Sequence, residues 1–329
     1  MPVQKSASIY QYRIAHVGAL AMALITLWIV AGLVRPDLAS HSAAAQPLNR
    51  AGFHGQQLDV LTFNVLLRPF LPEGQDRRAP LIPGQLGGYD VVLLQEAFSD
   101  YHRDIVLRGL RQEYPYQSNV LGRDRGLKQD GGVVIASRWP IEVQDQALFG
   151  GLCRGNDCLA DKGVLYARIN KSGLRVHLFA THLQSGAGRD VTRERQILRM
   201  RRWIDAMRLP PTEPVLIGGD LNVDLLADDK TGAFTKMMEI LNAVRPNMPL
   251  NSRNRVTFDP VENSLADGAR AKYLDYVVYS NAHLKPFDTF NRVRRIFVGG
   301  EPLSDHYAVH GRFLFQYLMP PLGIVDAAP

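Results

Sequence analysis

The sequence of 329 residues holds only two cysteines, Cys153 and Cys158, too few for a disulfide-dense scaffold or a four-cysteine zinc site. It has no G-x-S-x-G nucleophile elbow, no G-x-x-x-x-G-K-[ST] phosphate loop and no H-E-x-x-H pair, which removes three common enzyme signatures. Internal repeats are absent too, so a solenoid or propeller is excluded. No strong excess of one charge exists: 38 Lys and Arg stand against 32 Asp and Glu, a formal net charge of +6. Such a balance suits an anionic partner without choosing between nucleic acid, phospholipid headgroups and plain solubility. At 46% hydrophobic and 21% charged residues, the chain can bury a sizeable core and is neither disordered nor a polytopic membrane protein.

One long apolar run is present. Val17 to Val34 carries no charge; Lys5 and Arg13 precede it and Arg35-Pro36-Asp37 closes it. This is the pattern of an export signal, and Ser42-Ala43-Ala44-Ala45 offers small residues for cleavage after Ala45. The run exceeds the roughly 7–15 residues of a cleaved signal core and is just long enough to cross a bilayer. Cleavage and retention as an anchor both stand, and both export everything after Ala45. The expected organisation is a targeting segment over 1–45, a linker over 46–57, a main domain over 58–317 and a tail over 318–329. Without residues 1–45 the basic excess shrinks, because Lys5, Arg13 and Arg35 leave with only Asp37.

Past the linker, short apolar and β-branched runs bounded by Gly, Pro, Asn or Asp predict strands at Leu58–Asn64, Val91–Glu96, Gly132–Ser137, Val164–Ile169, Val176–Leu183, Val215–Asp220, Leu274–Tyr279 and Ala308–Phe315. Helices are predicted at Asp100–Gln112, Val191–Met207 and Ala233–Asn242; in the second, Ile197, Met200, Ile204 and Met207 make one apolar stripe. That helix also carries Arg193, Arg195, Arg199, Arg201, Arg202 and Arg208. Interleaved with Glu194 and Asp205, they read as a solvated face rather than a nucleic-acid surface.

Polar residues fall repeatedly where apolar strands end: Asn64 in LDVLTFN, Gln95 and Glu96 in VVLLQE, His182 in LFATHLQ, and Asp220 and Asn222 in VLIGGDLN. Ser304-Asp305-His306 precedes the last strand. One such residue would be a turn or cap; the whole set predicts a site at one sheet edge, where desolvated polar groups need partners. Carboxylates, carboxamides and imidazoles are hard ligands and acid/base groups. They suit Mg²⁺, with Mn²⁺ or Co²⁺ also fitting, completed by water and a substrate phosphate. Metal-assisted attack of water on a phosphate ester follows. Cys153 and Cys158 lie in a Gly-rich loop and predict a local disulfide in an exported protein.

The segments LTFNVLLRP, LLQEAF, GGVVIASRWP, THLQ, GGDLNVD, LDYVVYS and SDHYAV resemble, in order and spacing, those of the endonuclease/exonuclease/phosphatase superfamily typified by deoxyribonuclease I. The resemblance spans about Leu58 to Phe315 and implies an α/β fold, a four-layer α/β/β/α sandwich. DCLADKGVLYARI, TFDPVENSLADGARAKYLDYVVYS and DGGVVIASRWPIE further resemble the bacterial neutral sphingomyelinase branch.

That resemblance implies roles. Glu96 is the first metal ligand, with Asn64 close to the metal and its waters and Asp305 supporting the metal side. His306 is the general base, and Asp275 holds its imidazole. His182 and Asn222, with Asn64, face the phosphoryl oxygens. Asp220 positions water or assists protonation of the leaving alkoxide. Lys162, in Asp161-Lys162-Gly163, either sets the loop beside the site or is a solvated turn residue. His54, His102, His177, His283 and His310 match no motif. The implied activity is hydrolysis of sphingomyelin to ceramide and phosphocholine by a monomer at a phospholipid membrane surface. The alternatives are an exported nuclease of the same fold, though nucleic acid is the less favoured partner, and a phospholipase C for another headgroup. The chain departs from the branch between the LDY strand and S-D-H. Asn281–Ser304 has no Trp, offering Phe287, Phe290 and Phe297 with Arg292, Arg294 and Arg295.

Overall fold

A computed structural model describes residues 53–69, 74–126, 128–248 and 255–318. The apolar run 17–34 and the end of the tail lie outside them. No helix among the described residues is long and apolar enough to cross a membrane.

Fourteen strands and five α-helices follow one another as β1 (Phe53–Asn64), α1 (Gln75–Arg78), β2 (Val91–Gln95), α2 (Asp100–Leu110), β3 (Tyr116–Gln117), β4 (Val134–Ser137), β5 (Ile141–Leu148), β6 (Gly163–Lys171), β7 (Leu174–His182), α3 (Asp190–Ala206), β8 (Val215–Asp220), α4 (Asp228–Thr231), α5 (Ala233–Leu241), β9 (Ala243–Val244), β10 (Asp275–Ser280), β11 (Asp288–Arg294), β12 (Phe297–Val298), β13 (Glu301–Pro302) and β14 (Ala308–Leu318), counted among the described residues. Twelve of the strands make two six-stranded sheets, ordered β11-β14-β1-β2-β4-β3 and β5-β6-β7-β8-β10-β9. The β1–β2 and β7–β8 pairs are parallel and the rest antiparallel.

The sheets face each other across a core of Leu58, Val60, Leu93 and Phe313 from one and Leu165, Val176, Leu178 and Val277 from the other. On the outer face of the first sheet, Leu61 and Phe63 pack with Val106 and Leu110 of α2. On the second, Tyr166, Phe179 and Ile217 pack with Ile197, Met200 and Ile204 of α3 and with Met237 and Leu241 of α5. The alternation of β1, with Leu58 and Val60 inward and Leu61 and Phe63 outward, supplies both interfaces from one strand. The expected four-layer α/β/β/α sandwich is therefore observed. Strand β2, VVLLQ, is buried along its whole length, as a central strand covered on both faces must be.

One boundary moves. β1 begins at Phe53 and pairs through Phe53↔Leu318 with β14, so residues 53–57 belong to the domain rather than to a linker. Phe313 and Phe315 of β14 lie in the core.

Candidate active site

The strand ends that carry the polar residues converge on one edge of the sandwich. β7 and β8 run parallel with His182 opposite Asp220, and β8 and β10 run antiparallel with Asp220 opposite Asp275. Asn64 and Gln95 are paired at the ends of β1 and β2 in the facing sheet, and Glu96 follows immediately. The approach of β7 to β8 explains the Gly before Asp220: Gly219 has φ of 141°, and a Cβ there would sit 1.9 Å from the Thr181 carbonyl oxygen. Glu96 and Asn222 hold φ of 54° and 51°, an uncommon region for non-glycine residues and one where functional residues concentrate.

A network joins these side chains. Asn64 Nδ2 donates to Glu96 Oε1 at 3.0 Å and to Asp220 Oδ2 at 3.2 Å. His182 Nε2 lies 3.5 Å from Asp220 Oδ2 and 3.9 Å from Glu96 Oε1. His306 Nδ1 is 2.8 Å from Asp275 Oδ2, and its Nε2 is 3.7 Å from Asp220 Oδ2. The Asn222 backbone N–H donates to Asp220 Oδ1 at 3.0 Å. Asp305 Oδ1 lies 3.2 Å from Ser304 Oγ and stands outside the tight acidic groups. Its charge nevertheless raises the pKa of both Glu96 and His306.

Electrostatics follow from crowding carboxylates in a dry place. Burial raises the Glu96 pKa, and Asp305 adds to the effect against the hydrogen bond from Asn64. Burial pushes Asp220 up to about 7, opposed first by His306 and reinforced by Asp275 and Glu96. Burial alone would lower His306, but Asp275, Asp220 and Asp305 together hold it well above the usual imidazole range. Burial and the Lys162 charge hold His182 well below that range.

Residues 61–306 match the model of the Endonuclease/Exonuclease/phosphatase family. The chain belongs to this family. It is 35% identical over 266 residues to a sphingomyelinase C of Bacillus cereus, covering 72% of this chain and 79% of the relative. To a sphingomyelinase C of Leptospira interrogans it is 35% identical over 291 residues, covering 77% of this chain but only 51% of that protein. Among solved structures, a beta toxin variant from Staphylococcus aureus with bound magnesium ions superposes with a TM-score of 0.68 at 29% identity, covering 78% of this chain and 99% of that one.

The site's residues fit a divalent cation. Glu96 Oε2 and both ring nitrogens of His182 are buried without a hydrogen-bond partner, a costly state unless a further group is bound. Glu96, His182 and Asp220 each offer a ligand atom, all within 4.8 Å of one another, as do Asp220, Asp275 and His306. A third acidic group, Asp100, Asp124 and Asp130, already encloses a cation, for Arg103 Nη1 bonds Asp130 Oδ2 at 2.9 Å.

The fold thus brings together Asn64, Glu96, His182, Asp220, Asn222, Asp275 and His306, while Gln95 is a buried structural residue that accepts from Thr62 Oγ1 at 3.1 Å. Among the unmotivated histidines, His177 bonds Glu213 at 2.7 Å and His310 bonds Asp59 at 2.6 Å, both away from the site. Cys153 and Cys158 form the expected disulfide.

Two supporting parts were not assigned from sequence. Thr257 Oγ1 accepts from the backbone N–H groups of Leu274 and Asp275 at 2.9 and 3.3 Å, fixing the start of β10; its place in the TFDP segment was the available signal. Ser304 Oγ donates to the Asn64 carbonyl at 2.6 Å, tying the S-D-H turn to the end of β1. Lys162 is a buried residue, not a solvated one: it is 4% exposed. Its Nζ donates to the Leu183 carbonyl at 2.9 Å and pairs with Asp157 at 3.2 Å.

Proposed function

We propose that the protein is an exported, Mg²⁺-dependent phosphodiesterase that hydrolyses sphingomyelin to ceramide and phosphocholine, working as a monomer at a membrane surface. The observation that carries this reading is the set of buried atoms without a hydrogen bond, Glu96 Oε2 and the two ring nitrogens of His182, beside the His306–Asp275 dyad. The sphingomyelinase C relatives supply the substrate class. Export rests on the Val17–Val34 segment and the disulfide.

Each residue takes a role in this reading that its geometry supports. Asp275 Oδ2 accepts from Nδ1 of His306, leaving Nε2 as the basic nitrogen that takes a proton from the attacking water. Thr257 holds Asp275 through its backbone. Asp220, with a pKa near 7, retains a proton at neutral pH often enough to deliver it to the leaving alkoxide. His182 and Asn222 donate to the phosphoryl oxygens as charge develops there, and Asn64 beside them holds Glu96 and Asp220 in place. Glu96, with Asn64 beside it and Asp305 on the flank, would hold the divalent cation. When bound, that cation supplies Lewis-acid neutralisation of the phosphoryl charge.

The deciding assay offers purified protein and Mg²⁺ to mixed liposomes of sphingomyelin and phosphatidylcholine alongside plasmid DNA. Phosphocholine release that scales with the sphingomyelin content is expected. Release that scales with phosphatidylcholine would make the protein a phospholipase C of other preference, and nicked plasmid without phosphocholine would make it a nuclease.

A further inference from the structure

Large hydrophobic side chains left exposed by a monomer are informative when they gather in one place. Leu159, Val191, Leu226 and Val261 are 55%, 65%, 46% and 87% exposed. Each lies on a different segment leaving the catalytic edge. Leu159 directly follows the disulfide loop, just before Lys162, and Val191 opens α3 beyond His182. Leu226 lies in the turn after Asn222. Val261 follows Phe258, whose ring meets that of His306 edge-on at 5.3 Å.

The charges around them largely cancel. Arg270 pairs with Asp224 at 2.5 Å, Arg193 with Asp190 at 2.6 Å and Lys162 with Asp157 at 3.2 Å, and Arg295 pairs with Glu262. Exposed Arg154, Arg189 and Lys230 stand against exposed Asp229 and Asp267, leaving a small positive excess. Meanwhile the segment between β10 and β14 offers little to a membrane near the site. Its β12–β13 hairpin turns at Gly299-Gly300, Phe297 packs on Tyr307 at 6.1 Å, and Val298 packs on the core. Phe287 is exposed but lies at the opposite end, where its N–H bonds the Leu314 carbonyl.

We infer that Leu159, Val191, Leu226 and Val261 form an aliphatic rim that beds the catalytic edge into a zwitterionic lipid surface. The inference rests on the lipid reading of the site, because a substrate held in a bilayer forces this edge against it. Nearly balanced charge and aliphatic side chains make the contact a shallow apolar one. Anionic lipid is unnecessary to it, and salt screens it little.

The test uses the full chain with an environment-sensitive fluorophore on a cysteine introduced as Val261→Cys or Leu226→Cys, and as Val143→Cys at the far end for control. Vesicles of sphingomyelin and phosphatidylcholine should blue-shift the probes at 261 and 226 and leave the one at 143 unchanged, from about 0.05 to about 0.5 M salt. The double variant Leu226→Asp/Val261→Asp should raise the KM for vesicles by about tenfold or more and leave hydrolysis of soluble bis(4-nitrophenyl) phosphate unchanged. Probes that stay in water while the vesicles are hydrolysed would overturn the rim and leave the proposed activity standing. A shift that requires anionic lipid would overturn it as well. Blue-shifted rim probes on vesicles that are never hydrolysed would uphold the rim and sink the activity instead.

Discussion

His306 Nδ1 lies 2.8 Å from Asp275 Oδ2, and Asp275 is wholly buried. The two come from segments far apart in sequence, and their meeting depends on β10 pairing with β8 while the S-D-H turn is tied to β1 through Ser304. A carboxylate with no solvent exposure binds its imidazole partner in one tautomer and one orientation. That is what a general base acting through Nε2 requires.

Asp275→Asn therefore loses the tautomer control while keeping the shape. We expect kcat to fall by about 10²–10⁴-fold, the range contributed by a positioned base, with an unchanged circular dichroism spectrum. A variant retaining more than a third of the parental rate would remove Asp275 from the mechanism.

The same cluster predicts how rate depends on pH and metal together. Asp275, Asp220 and Asp305 raise the pKa of His306 well above the usual value, so acidification protonates the base and the rate drops on the acid side. A cation near Glu96 and Asp220 offsets part of that carboxylate field, and the acid limb should move to lower pH as Mg²⁺ concentration rises. Profiles of kcat/KM taken at several Mg²⁺ concentrations check this; superimposable acid limbs would contradict it.

Metal binding should also stabilise the fold, because the buried Glu96 Oε2, which has no hydrogen bond and only the Arg68 guanidinium at 3.7 Å, costs free energy in its absence. Mg²⁺ at a hundredfold excess over its Kd adds about 2.7 kcal/mol to a fold that alone binds it, seen as a rise in Tm that chelator reverses. In Glu96→Gln the rise should vanish while the metal-free Tm is equal or higher, since a carboxyl held uncomfortably in a dry site has become a neutral amide.

Away from the site, Asp59 gives a stability test with a definite sign. Burial would raise its pKa, but hydrogen bonds from His310, Arg312 and Gln57 outweigh burial and lower it to about 2. Its folded pKa is below its unfolded one, so the stabilisation is present above about pH 4 and is lost as pH falls toward 2. Asp59→Asn should lower stability at pH 7 by about 2 kcal/mol, with the difference closing between about pH 4 and pH 2. A constant difference across that window would assign the loss to packing.

Much of this was legible because a buried strand cannot end on Asn64, Glu96, His182 or Asp220 without a reason for keeping polar groups dry. What sequence could not show was structure with weak patterning. Strand β5, IEVQDQAL, is a largely exposed edge strand with polar residues on both faces, so no period-2 signal exists. In β11, DTFNRVR, buried Asn291 takes a place where an apolar residue would be expected, its amide donating to the Val277 carbonyl at 3.0 Å. Residues 53–57 join β1 through backbone pairing with β14, which GQQ does not announce.

Lys162 is the sharpest case, because ADKG reads locally as a turn and only the fold surrounds the lysine with acceptors. Removing its charge in Lys162→Met leaves Asp157 and the Leu183 carbonyl short of a donor next to His182. Breaking a buried pair of this kind costs roughly 3 kcal/mol, and Tm should fall accordingly. Ser185 also donates its N–H and hydroxyl to Asp157 at 2.7 and 2.9 Å, so the loss should spread into the segment that follows His182 and weaken Mg²⁺ binding, measured by calorimetry at a temperature where the variant is folded. Lys162→Arg, too long for the same carbonyl, should recover the charge and part of the Tm but not the Mg²⁺ affinity. Equal affinity in all three proteins would show that Lys162 holds the loop without positioning His182.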